Sequence, residues 1–246
     1  MGRLQGKVSI VTGASAGIGR AVALRFAQEG ARVLAVARGE AVESLVAESG
    51  GRIDTLRCDV GDPGQVAMLA DECRRRYGRL DVLCNNAGIG SRPNTRIHEV
   101  DLADWDRVMN TNLRGAFLVL KHTIPLMLES GGGAIVNMAS IGSFRATPGS
   151  SPYITSKGGM LLLTRTAALE YVNDNIRVNA VCPGVTETEI LTNVPQEVKD
   201  MLVARVPMGR MGTPDEVASL TLFLCTDEAS YITGAAYIID GGRGAS

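Results

Sequence analysis

Val8-Ser9-Ile10-Val11-Thr12-Gly13-Ala14-Ser15-Ala16-Gly17-Ile18-Gly19 is the stretch on which the reading of this chain turns. Residues 8–12 form a short apolar run of the kind that makes a strand buried on both faces. The glycines at 13, 17 and 19 then permit a tight turn, bring backbone N–H groups close to a ligand, and let a helix over 16–29 sit against the strand. The opening turn of such a helix offers unpaired N–H donors and a positive dipole end to a pyrophosphate. No Gly-Lys-Ser or Gly-Lys-Thr follows, so this is not the loop that grips a nucleoside triphosphate and Mg²⁺.

The same alternation continues along the chain. Further strands are predicted at 32–37, 53–57, 80–84, 134–138, 177–181 and 236–239, with helices over 63–77, 101–128, 152–171 and from Pro214 onward. Nearly continuous hydrophobicity in the strands predicts an α/β fold, a Rossmann-type doubly wound parallel seven-stranded sheet with helices on both faces. No linker, repeat or low-complexity stretch divides the sequence, so 1–246 reads as a single domain. Within it, 183–213 leaves the βαβ rhythm and is the expected substrate-loop excursion. The helix over 152–171 is apolar around much of its circumference, which predicts cover by the sheet on one side and by a second subunit on the other.

Composition narrows the partners. With 25 Lys and Arg against 26 Asp and Glu, the net charge is -1. That gives no extended positive field for nucleic acid or an anionic membrane. Five cysteines, an odd number without a C-x-x-C pair, argue against a metal site or a disulfide framework and read as buried thiols in a reducing compartment. Without a signal segment or an apolar run of about 18 residues, the expected location is cytoplasmic and the expected partner a small molecule.

The second strand ends Val36-Ala37-Arg38. An acidic residue there would accept from a ribose 2′-hydroxyl, whereas the planar, always-charged Arg38 suits a 2′-phosphate. NADP(H) is therefore favoured as cofactor; an arginine that only stacks on the adenine leaves NAD(H) open. Asp59 and Val60, ending the third strand, border the adenine, or Asp59 caps the next helix.

Tyr153 and Lys157 are one helical turn apart on one face. Reducing a carbonyl needs a hydride on carbon and a proton on oxygen, and a nicotinamide supplies only the first. A tyrosine titrates near 10, and a neighbouring ammonium favours its phenolate, so the pair makes chemical sense as a proton donor and acceptor. Ser140 follows the strand over 134–138, at the sheet edge where ligands collect. It either binds the substrate oxygen or satisfies its own turn.

Together these residues resemble the short-chain dehydrogenase/reductase family, in its single-domain branch of chains about this length. The resemblance spans essentially the whole sequence: the 12–19 turn, Asn85-Asn86-Ala87-Gly88, Asn112 within Asn110-Thr111-Asn112-Leu113, Ser140, Tyr153 with Lys157, Pro183-Gly184 followed by Thr188, and Gly234-Ala235 through Ile239-Asp240-Gly241-Gly242. It implies an oxidoreductase acting between a ketone or aldehyde and an alcohol. Tyr153 is then general acid/base, Ser140 orients the substrate oxygen, Lys157 holds the nicotinamide ribose and lowers the tyrosine pKa, and Asn112 positions a water in a proton relay. It also implies that Gly13, Ser15, Ala16, Gly17, Ile18, Gly19, Asn86, Ala87 and Gly88 flank the cofactor. Pro183, Gly184, Val185 and Thr188 then surround its nicotinamide end, and the assembly is a homotetramer or homodimer. The sequence departs modestly, with Ala139 where a second serine often precedes Ser140. A protein that kept the fold as a dinucleotide sensor or scaffold is the alternative, and a sugar-nucleotide epimerase or dehydratase using the same Tyr and Lys is another. Pocket residues are expected within 91–95, 141–145 and 189–208, where Phe144, Ile190, Leu191, Val194 and Met201 suggest a partly apolar ligand. His98 and His122 read as surface or packing residues.

Overall fold

The computed structural model describes residues 2–188 and 195–245. In chain order the elements are β1 (Val8–Thr12), α1 (Gly17–Gln28), β2 (Arg32–Ala37), α2 (Ser44–Glu48), β3 (Ile53–Arg57), α3 (Pro63–Tyr77), β4 (Val82–Asn85), α4 (Leu102–Met109), α5 (Gly115–Glu129), β5 (Gly133–Met138), α6 (Ser151–Tyr171), β6 (Ile176–Pro183), α7 (Gln196–Val203), α8 (Pro214–Cys225) and β7 (Ala236–Ile239). The strands form one seven-stranded sheet in the order β3-β2-β1-β4-β5-β6-β7. Every pairing is parallel. Strand order reverses between β1 and β4, and in such sheets the crevice for a ligand opens at that switch, outside the carboxyl ends of the strands.

Alternate strand residues feed two apolar layers. Val11, Val33, Ala35 and Val136 pack with Val22 and Phe26 of α1 and Val217 and Leu222 of α8. On the opposite face Ile10, Leu34, Leu83 and Ile135 pack with Leu69 of α3, Val119 of α5 and Ala168 of α6. Both faces are dry, which is why the strand sequences lack the polar alternation of a half-exposed sheet. All five cysteines lie buried as free thiols.

Local signals set the helix ends. Asp62 caps α3 by accepting from the backbone N–H of Gly64 at 2.8 Å and of Gln65 at 3.1 Å. Pro63 then occupies the first turn, and Gly78, at φ 72°, closes the helix in the left-handed conformation. Asp59 is therefore not the cap; its Oδ1 accepts from Gly61 N–H at 2.9 Å within its own turn.

Three features differ from the sequence expectation. The fourth strand starts at Val82 rather than at residue 80. A short helix, α2, lies between β2 and β3, where too few residues are available for a readable period. The helix expected over 101–128 is divided: a π-helical turn, Asn110–Arg114, joins α4 to α5. One residue inserted into a turn leaves the apolar pattern nearly intact, so periodicity does not reveal it, yet such turns concentrate at functional sites. Helix α6 covers the sheet with Met160, Ala167 and Ala168, and Leu162 and Leu169 on its other side are 64% and 78% exposed in the single chain. No helix among the described residues is long and apolar enough to cross a membrane.

Candidate active site

At the switch point a cleft of about 600 Å³ opens along the carboxyl ends of the strands. Its floor on the β1 side is backbone. Gly13 adopts φ 66°, a left-handed conformation that side chains rarely take. A Cβ on Gly19 would stand 2.2 Å from the Gly13 carbonyl oxygen and 2.4 Å from Asn86 Nδ2, so only glycine allows α1 this close to the turn. No side chain caps the N-terminus of α1. Ser15, Ala16, Gly17, Ile18 and Gly19 therefore face the cleft with the helix's first N–H groups.

The end of β4 is tied to this turn. Thr12 Oγ1 accepts from the N–H groups of both Asn86 and Ala87 at 3.0 Å, and Asn86 Nδ2 donates to the Thr12 carbonyl at 2.9 Å. Asn86, Ala87 and Gly88 line the cleft, as do Arg38, Asp59 and Val60 at one end and Pro183, Gly184, Val185 and Thr188 at the other. Arg38 is exposed and enters no ion pair among the described residues. The nearby Glu40 and Glu43 are both engaged by Arg57, at 3.0 and 2.7 Å.

On the far side of the switch the wall is made of buried side chains. Helix α6 carries Tyr153, Ser156 and Lys157 at helical spacing on one face. The Lys157 ammonium is 4% exposed and donates to the Met138 carbonyl at 2.7 Å, which fixes it at the end of β5. Its Nζ lies 5.8 Å from the centre of the Tyr153 ring. Ser140 Oγ accepts from Gly142 N–H at 3.0 Å, and Ser140 is near enough to the Tyr153 phenol to draw its pKa down. The Ser140 hydroxyl closes its own turn, and the residue lies beside the tyrosine in the cleft.

The electrostatics correct one expectation. Lys157 was expected to draw the tyrosine pKa down, but burial pushes the phenol up, and the opposing influence is the hydrogen bond from Ser140. Burial also lowers Lys157 to about 8. The reason is common to both: desolvation disfavours whichever form carries charge.

Asn112 does not line the cleft. It is wholly buried in the π-helical turn, where Nδ2 donates to the Ile89 carbonyl at 2.9 Å and to Ser156 Oγ at 3.1 Å. Its Oδ1 accepts from Ile89 N–H at 2.8 Å. Ser156 in turn donates to the Tyr153 carbonyl at 2.7 Å. Sequence reasoning missed Ser156, although its place three residues after Tyr153, on the face that carries Lys157, was a usable signal. The carbonyls of Met138 and Ile89 act through the main chain and leave no trace in residue identity.

A second cavity, of about 790 Å³, meets the cleft at Ser140, Tyr153, Gly184, Val185 and Leu202. Of the expected pocket segments, Ile141, Gly142 and Arg145 line it from 141–145, and Leu202, Ala204, Arg205 and Pro207 from 189–208. Phe144 and Met201 do not; they are exposed on the surface. Glu189, Ile190, Leu191 and Val194 lie outside the described residues.

An all-parallel layout with a glycine cradle facing a Tyr-Lys-Ser group is that of a dinucleotide-dependent oxidoreductase. Comparisons agree. Residues 13–243 match the family model described as Enoyl-(Acyl carrier protein) reductase. The chain is 42% identical over 245 residues to 3-oxoacyl-(acyl-carrier-protein) reductase FabG of Thermotoga maritima, covering 98% of each. It is 42% identical over 239 residues to cis-4-hydroxycyclohexanecarboxylate dehydrogenase of Sinomonas cyclohexanicum, covering 96% of each. Its backbone is similar to the crystal structure of a Burkholderia xenovorans chain described as a short-chain dehydrogenase/reductase, with a TM-score of 0.93 at 40% identity over 100% of this chain and 99% of that one. The chain belongs to the short-chain dehydrogenase/reductase family.

Membership implies a nicotinamide dinucleotide cofactor. The residues present fit one: Gly13 and Gly19 let α1 and the end of β4 pack closely on the turn, and the uncapped α1 terminus that faces the cleft suits a pyrophosphate.

Proposed function

We propose that the protein interconverts an alcohol and its ketone or aldehyde with NADP(H) as the preferred cofactor and NAD(H) the weaker one, Tyr153 passing the proton. The observation that carries this reading is the meeting of the Tyr153 phenol, the Ser140 hydroxyl and the anchored Lys157 ammonium in the cleft that also holds the glycine turn. The bound nicotinamide supplies or accepts the hydride.

In the reductive direction Tyr153 Oη gives its proton to the substrate oxygen as negative charge gathers there, and the Ser140 hydroxyl donates to the same atom. A phenol held above its ordinary value by burial keeps its proton until that charge appears. Lys157, protonated at neutral pH even at about 8, places its charge beside the phenol and stabilises it once ionised. Asn112 uses both amide hydrogens on Ile89 and Ser156, so it holds the wall behind Tyr153 and keeps one lone pair of Oδ1 for the water of a relay. Arg38, in no ion pair among the described residues, supports the 2′-phosphate. The exposed Leu162 and Leu169 on α6 support a homotetramer in which a second copy covers that face.

Following nicotinamide absorbance over a panel of carbonyls and alcohols with both nucleotides tests the activity. Turnover with NADPH is expected; binding of nucleotide without turnover of any substrate returns the protein to the sensor class. Arg38→Asp should shift the NADPH/NADH ratio of kcat/KM toward NADH by about 10- to 100-fold, and an unchanged ratio removes the basis for NADP(H).

A further inference from the structure

The second cavity is lined by three arginines. Arg145 follows the turn after β5, Arg205 follows α7, and Arg243 follows β7, yet all three line this one cavity together with Ser140 and Tyr153. For a chain whose net charge is -1, that is a local concentration of positive charge brought together from three distant parts of the sequence. Arg145 donates to the main-chain carbonyl of Arg243, which links two of the three. Neither Arg145 nor Arg205 enters an ion pair among the described residues. Among the described residues Asp240 is an acidic side chain close to the group, and its Oδ1 accepts from Gly242 N–H at 3.0 Å. Burial, then the charges of Arg205 and Arg145, push the Arg243 guanidinium below its ordinary value, with Asp240 opposing. Arginine is the residue whose fork matches a planar or tetrahedral oxyanion, and an anion placed between these groups meets positive charge from more than one side. The same cavity is also lined by the apolar side chains of Ile141, Ile154 and Leu202.

We propose that the substrate is an oxo or hydroxy compound with an anionic group, its carbonyl at Ser140 and Tyr153, an apolar body along Ile141, Ile154 and Leu202, and a carboxylate, phosphate or sulfonate on Arg145, Arg205 and Arg243. This inference rests on the activity proposed above and names the substrate class for it. The uncharged or cationic alternatives make no use of the three guanidinium groups.

Matched pairs test it: straight-chain oxo acids of increasing length and their methyl esters, assayed with NADPH, with phosphate- and sulfonate-tailed ketones as further arms to identify the anion. An acid should exceed its ester in kcat/KM by about 10- to 100-fold. In the Arg145→Gln/Arg205→Gln double variant that acid-to-ester ratio, which cancels any loss common to both substrates, should fall to near one. Esters turned over as well as acids, or a ratio that survives in the variant, overturns the anion site while leaving the oxidoreductase reading standing. Should no carbonyl react with either nucleotide, the activity itself is wrong; calorimetric titration of the oxo acids into wild type and double variant then still decides the site, since binding that does not depend on the arginines overturns it.

Discussion

Along the cleft from β3 to β1 the protein lines its site with backbone, and from β4 to β6 it lines it with buried side chains. On the first side Gly13 and Gly19 contribute by lacking a Cβ, and the helix start contributes N–H groups. On the second, Lys157, Asn112, Ser156 and Ser140 hold one another and the strand ends through polar contacts inside an apolar layer. The difference teaches that recognition of a phosphate can be built at little energetic cost from an open turn, whereas proton transfer needs polar groups held against the cost of burying them.

Substitutions that exchange those two behaviours sharpen the contrast. The largest effect is expected at the side-chain wall: Tyr153→Phe should lower kcat by about 10²- to 10⁴-fold, with nucleotide binding followed by fluorescence little changed. Comparable turnover by the variant would remove Tyr153 from the chemistry. On the backbone side, Gly19→Ala places a methyl 2.2 Å from the Gly13 oxygen. It should weaken nucleotide binding and lower urea stability by about 2–4 kcal/mol; a fully stable variant with normal affinity would show that the turn yields easily.

Lys157→Met separates function from stability. In the nucleotide-free protein the lysine titrates at about 8, below its ordinary 10.5. The unfolded chain therefore binds the extra proton between those two values, and the penalty of the buried charge is complete below pH 8. The variant should be inactive yet about 2 kcal/mol more stable at neutral pH, after allowing for the Met138 carbonyl left without its donor. That advantage should shrink as pH rises from 8 to 10.5, and a gain independent of pH would contradict the assignment. Smallest of all, Asp62→Ala removes the α3 cap and should lower stability by about 1 kcal/mol without altering kcat.

The two sides of the cleft were also unequally legible. Glycine spacing after an apolar strand announces a close approach, because the absence of a side chain is itself written in the sequence. Tyr153 and Lys157 announce themselves by helical spacing, and Arg38 by the missing acid at the tip of β2. What the sequence hides is the support. The π-helical turn that carries Asn112 leaves the apolar period of 101–128 almost unchanged, and the Met138 and Ile89 carbonyls belong to residues that would read the same without them. The direction of the Tyr153 pKa was misjudged because neighbouring charge is visible in a motif and depth of burial is not. The arginine cluster was legible only in part: positions 145 and 205 fall within the expected pocket segments, but they acquire a common meaning with position 243 only when the ends of β5, α7 and β7 are brought to one place.

All seven strands run the same way, so the amino-end loops lie a full strand from the cleft, about 17 Å. The loop before β3 contains Gly50 and Gly51, and a Cβ built on either meets nothing within 4 Å. A tether entered there would anchor the protein to a sensor or a bead with its mouth facing outward, leaving reactants an open path to an immobilised catalyst.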